Sequence, residues 1–169
     1  VTDITGDAGY ADAARSFYDG LNTSTYIGGF SATDRSNTVF YVAQHTVAAS
    51  MVGAVDAGLW RAGLIQYLAQ IADDEAFYPV QSLGVATWAL AKTGTMDSTE
   101  VDPFDLGEAY WSDVTLAELP ALLQSHQVAS GAYEGSFYLR YDHDAPGVGF
   151  EASGYTEDAV FGTLGLIAA

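Results

Sequence analysis

Apolar residues recur at three- and four-residue intervals in six stretches, the spacing expected of helices that bury one face. The first covers residues 7–21, where Tyr10, Ala13, Ala14, Phe17 and Leu21 share a stripe and Thr5 is the expected cap. The second, residues 34–53, lines up Phe40, Ala43, Val47 and Met51, with Asp34 placed to cap it and complement the positive end of its dipole. Behind Asp56, residues 57–71 carry Leu59, Trp60, Leu64, Tyr67, Leu68 and Ile71. A fourth stretch starts at Pro79, which suits a first turn whose N–H groups lack helical acceptors, and stops at Gly94.

The pattern then lapses. Residues 95–114 hold Asp97, Glu100, Asp102, Asp105 and Glu108 and read as a long loop with at most a short helix at 106–111. Thr115 and Glu118 form a Thr-x-x-Glu capping box ahead of a fifth helix with Leu119, Leu122, Leu123 and Val128, ended by Gly131. Between residues 132 and 154, Tyr133, Phe137, Tyr138, Leu139, Tyr141, Val148 and Phe150 sit among glycines, which suits a short β-hairpin. A sixth helix begins near Thr156 with Glu157 and Asp158 in its first turn.

Six helices pair into about three αα-hairpins, so the expected fold is all-α with that one β excursion, in a single domain spanning residues 1–169. Weak internal repetition supports the pairing. Residues 78–91 align on 155–168 without a gap, matching Leu83 with Val160, Leu90 with Ile167 and Ala91 with Ala168. Gly63, Gly84, Gly162 and Gly165 each cost a helix about 1 kcal/mol relative to Ala, an expense that close helix packing explains.

Leu123, Gln127, Gly131 and Tyr133 follow the spacing of the aliphatic residue, Gln, Gly and Trp in the repeat of the squalene-cyclase and prenyltransferase family of α/α toroids, which this stretch resembles. The resemblance implies a partial toroid or open arc in which Gln ties a helix end to the next turn. Leu122 departs from the usual aromatic and Tyr133 from Trp. Scaffold likeness carries no activity. The family's Asp-x-Asp-Asp acid is reduced here to Asp73 and Asp74, and without cysteine neither the prenyltransferase zinc set nor a thioester can form. About three hairpins cannot close a toroid, so the end hairpins would expose apolar faces unless copies of the chain, or more of a longer precursor, cover them.

Five basic residues against 22 acidic ones leave a net charge of −17, and Arg15, Arg35, Arg61, Lys92 and Arg140 are scattered. Nucleic acid is excluded as a partner because no basic stripe can replace phosphate counterions. The longest uncharged run, residues 36–55, contains Gln44, His45, Thr46 and Ser50, so it reads as a core helix and no membrane span is expected. Carboxylate excess of this kind keeps proteins hydrated and apart in salt, which points to an extracellular or cell-surface, secreted setting. The ends at Val1 and Ala169 suggest a processed part of a longer chain.

Candidate chemistry is sparse. His45, His126 and His143 lack the spacing of a metal set and read as a partly buried polar residue, a helix-end cation and a surface loop residue. Asp142 and Asp144, two apart with Glu151 beyond, offer oxygens to calcium, the one cofactor the sequence suggests; the alternative is a solvated turn. No catalytic residue stands out, and the acid clusters at Asp73, Asp74, Glu75 and at Glu157, Asp158 occupy helix ends. Eleven tyrosines and three tryptophans suit interfaces or sugar stacking, and many, including Tyr26, Phe30, Tyr110 and Trp111, fall between helices. The expected function is therefore a non-catalytic structural module that self-associates through apolar and aromatic faces. The alternative is a carbohydrate-active enzyme or glycan-binding module on a partial toroid.

Overall fold

The computed structural model describes residues 8–30, 35–68, 79–94, 96, 115–132, 134–141, 149–152 and 156–168, with backbone alone for 35–37, 79–80, 138–141, 149–152 and 156–159. Among these the fold is all-α, with one small β ribbon. The helices are α1 (Gly9–Asp19), α2 (Thr23–Gly28), α3 (Arg35–Met51), α4 (Ala57–Leu68), α5 (Pro79–Thr93), α6 (Leu119–Ser125) and α7 (Thr156–Ala168). Strands β1 (Tyr138–Tyr141) and β2 (Gly149–Ala152) pair antiparallel, with Tyr138 opposite Ala152 and Tyr141 opposite Gly149 across an irregular register. The expected hairpin is therefore present.

Helix α5 is the centre. Ser82, Leu83, Val85, Ala86, Thr87, Ala89 and Leu90 are buried around its whole circumference, as expected of a helix that is apolar on every side. It packs on α3 and, most extensively, on α7. Glycine makes the second contact possible. A Cβ on Gly84 would stand 2.8 Å from the backbone nitrogen of Gly162, and one on Gly165 would stand 2.8 Å from the Gly84 carbonyl, so the two backbones touch where side chains would normally hold them apart. Gly162 in turn accepts the Phe137 ring, and Gly63 on α4 accepts Ile27 of α2, so Gly63, Gly84, Gly162 and Gly165 all serve close packing.

Local chemistry sets the other boundaries. Asn22 caps α2 by accepting the Thr25 N–H at 3.1 Å, giving a short helix where the sequence reads as a bare link. Glu118 reaches back to accept the backbone N–H and the hydroxyl of Thr115, both at 2.8 Å, so the Thr-x-x-Glu signature does open the segment, first as a 3-10 turn (Leu116–Glu118) and then as α6. Helix α6 ends at Ser125, earlier than Gly131, because the chain turns back on itself. Val128 donates to Ser136 at 2.8 Å, Gly135 donates to Val128 at 2.9 Å, and Gly131 and Gly135 take positive φ within the turn.

The face that α1 presents corrects the sequence reading. Tyr10 and Phe17 are 56% and 52% exposed, whereas Tyr18, off the expected stripe, is the residue that α1 buries. Met51, expected inside on α3, is 80% exposed; Val39, Val42, Ala43, Thr46 and Val47 form the buried side of that helix.

Candidate functional site

Three helices and a turn converge on His45. Its imidazole lies nearly parallel to the Trp60 indole of α4, with ring centroids 4.8 Å apart and planes at 21°. Tyr18 from α1 and Tyr26 from α2 meet it edge-on at 5.9 and 5.8 Å, and Phe30, just beyond α2, closes a fourth side at 6.4 Å. These are the spacings at which aromatic quadrupoles attract. The Tyr18 hydroxyl lies 3.0 Å from His45 Nδ1 and, in the Nε2–H tautomer, donates to it.

Burial sets the charge state of this box. It lowers the His45 pKa from its ordinary value, and it raises that of Tyr18 with a further push from Tyr26. Both groups are therefore neutral near pH 7. A neutral imidazole can act as a base, but here the Tyr18 hydroxyl occupies Nδ1, and the half-buried ring is packed among four others. The box joins α1 and α2 to α3 and α4. Nearby, Tyr67 donates to the Ile27 carbonyl at 2.7 Å, a second tie between α2 and α4. The Trp60 indole N–H and the Thr23 hydroxyl are buried and find no hydrogen-bond partner among the described residues.

His126 corrects the expectation of a helix-end cation. It is fully buried; burial pulls its pKa down to about 4, against the opposing pull of a 2.7 Å hydrogen bond between Nδ1 and the Leu122 carbonyl. At neutral pH it is an uncharged core residue. His45 and His126 thus serve separate neighbourhoods, and among the described residues no group of three His, Asp or Glu side chains could hold a metal. Asp142, His143 and Asp144, the proposed calcium turn, lie outside the described residues, as do Asp73, Asp74 and Glu75.

Gln127 lies just past the end of α6. It bridges Phe137 through the backbone, and its amide donates to the Gly135 carbonyl at 3.4 Å, fastening the end of α6 to the following turn. Tyr133 lies outside the described residues.

Three features face solvent. On α7, Val160, Leu164 and Ile167 form an i, i+4, i+7 stripe, exposed by 45%, 36% and 78%. Between α3 and α5 lies an open cavity of about 270 Å³ lined by Val47, Ser50, Met51, Trp88, Lys92 and Thr93. A cleft of about 290 Å³ between α2 and α4 has Ser24, Leu59 and Gln66 on its rim and glycine walls at Gly28 and Gly63. No helix among the described residues is long and apolar enough to cross a membrane. Comparison with family models, curated proteins and solved structures gives no match for this chain.

Proposed function

We propose that this chain is a non-catalytic structural module that assembles with copies of itself through apolar helix faces, in an extracellular or cell-surface setting. The observation that carries this reading is the uneven fate of two helices whose sequences align without a gap. In the alignment of residues 78–91 on 155–168, Leu83, Thr87 and Leu90 of α5 correspond to Val160, Leu164 and Ile167 of α7. The first three are fully buried, and the second three face water. Helix α7 is apolar on both sides, packing Phe161, Gly162, Gly165 and Leu166 inward while its outer stripe holds no charge. A helix of that composition is normally covered on every side. A second copy, built of the same helices, offers the cover that α5 receives within the chain.

Electrostatics sets the conditions for assembly. At −17 per copy, repulsion opposes contact at low ionic strength and fades once the Debye length falls to about 10 Å near 0.1 M salt. Light scattering over a range of concentration and salt tests the proposal. The expected result is a mass that rises with both, and a single-chain mass for the triple variant Val160→Ser, Leu164→Ser, Ile167→Ser with an unchanged helical signal. A wild-type chain that stays single at high concentration and high salt would overturn it.

A second reading, a glycan-binding module, draws on the cavity between α3 and α5, where the Trp88 ring forms one wall beside hydroxyl and ammonium groups.

A further inference from the structure

Lys92 is the one lysine in a chain of net charge −17, and it is exposed. Its position in the last turn of α5 suits the negative end of the helix dipole, which accounts for a cation there. It does not account for the surroundings. Lys92 shares the rim of the 270 Å³ cavity with the Trp88 ring one turn earlier on the same helix, and with Met51 and Val47 on α3.

The polar groups of the cavity are complementary in kind. The Lys92 ammonium can only donate. The Thr93 hydroxyl already donates to the Ala89 carbonyl at 2.7 Å, so toward the cavity it is left to accept. A ligand that satisfies both presents a negatively charged acceptor to one and a hydroxyl to the other, over an apolar body that covers Trp88 and Met51. Size narrows the class: pockets for drug-sized ligands span roughly 300–1,000 Å³, and this one falls just below that range, which admits a single ring.

We infer that the α3–α5 cavity is a binding site for a small hydroxylated carboxylate of one-ring size, such as an acidic sugar, held by Lys92, Thr93 and the Trp88 face. The carboxylate pairs with the Lys92 ammonium as a charge-assisted contact, a ring hydroxyl donates to Thr93, and the apolar face of the ring lies on the indole. The site belongs to one copy of the chain and does not require assembly.

Methionine methyl groups give a direct readout, because the chain has two methionines and only Met51 lines the cavity. With the intact chain labelled at the methionine methyl carbons, galacturonate, galactose and benzoate are titrated separately at neutral pH and followed by NMR. Galacturonate is expected to shift the Met51 signal saturably and leave Met96 in place. Benzoate, which keeps the charge but lacks hydroxyls, should bind more weakly, and galactose, which lacks the charge, more weakly still. Lys92→Met should weaken galacturonate by at least about tenfold, equivalent to about 1.4 kcal/mol, while Lys92→Arg retains most of the binding. A Met51 signal unmoved by both acids, an equal response to galactose, or full affinity in Lys92→Met overturns the inference. Benzoate binding better than galacturonate removes the hydroxyl contact and with it the acidic-sugar class.

Discussion

The imidazole of His45 lies flat against the indole of Trp60, 4.8 Å away, and holds the Tyr18 hydroxyl at 3.0 Å through Nδ1. Residues 18, 45 and 60 come from three different helices, so this one contact couples α1 to the α3–α4 hairpin. The hydrogen bond can be separated from the ring stacking. Tyr18→Phe and His45→Phe each remove the bond and keep an aromatic ring. Each should lower unfolding stability by about 1 kcal/mol, and the double variant should cost less than the sum. Chemical denaturation of the four proteins checks the cycle; strictly additive losses would mean the two groups do not interact.

Acid should destabilise the fold well before its carboxylates are neutralised. His126 has a folded pKa of about 4, below its ordinary value near 6.5, so the unfolded chain binds a proton more readily than the native one. The stability conferred by a neutral His126 is complete above the unfolded value and drains away as pH falls toward the folded one. Over that window the loss is roughly 3 kcal/mol. His45, whose pKa burial also lowers, acts in the same direction. Denaturant midpoints at pH 7.5, 5.5 and 4 are expected to fall steadily; a flat profile would contradict the burial of both rings.

His126→Leu isolates the main contributor. The Leu122 carbonyl keeps a hydrogen bond from the Ser125 hydroxyl at 2.6 Å, so the variant should lose only about 1 kcal/mol at pH 7.5. Because leucine does not titrate, the variant should match or exceed the wild type below about pH 5, where the histidine's cost becomes larger than that. Crossing stability curves are the expected signature.

The same substitution in two helices should have opposite signs. At Gly58 on α4 a Cβ would meet nothing within 4 Å, so Gly58→Ala should stabilise by about 0.5–1 kcal/mol through helix propensity and a less flexible unfolded chain. At Gly84 the added carbon would run into the Phe161 carbonyl and the Gly162 nitrogen, neither of which can rotate away. Gly84→Ala should cost about 1–3 kcal/mol, and more if α7 separates from α5. Thermal melts of the two variants decide the matter.

Much of the helical frame was legible because its signals are local. Pro79 and Gly94 bracket α5 within a residue, Thr115 and Glu118 mark the turn into α6, and Gly63, Gly84, Gly162 and Gly165 in apolar helices announce the close contacts found in the fold. Helix α2 was hidden because its cap, Asn22, precedes only six helical residues, the last of them the first of a glycine pair. The orientation of α1 was misread for a different reason. Tyr10 and Phe17 satisfy the periodicity as well as Tyr18 does, and only the partner ring of His45 selects between them. His126 follows the same logic, since nothing within a turn of it reveals that the core closes over a helix end. Periodicity shows that a helix has a greasy side; it does not show what waits on the far side of the chain.

The notch shared by Gly84, Gly162 and Gly165 has a further consequence for α7. An ordinary surface helix is oriented by polarity, since only one of its sides avoids water. Between Val160 and Ile167 the only polar side chain of α7 is Thr163, so solvent aversion alone does little to fix its rotation about its long axis. Shape supplies what polarity does not: only the bare-backbone side fits against α5. Filling that groove would therefore do more than loosen one contact. It would remove the key that tells α7 which side to turn inward, and the stripe offered to the outside would change identity with it.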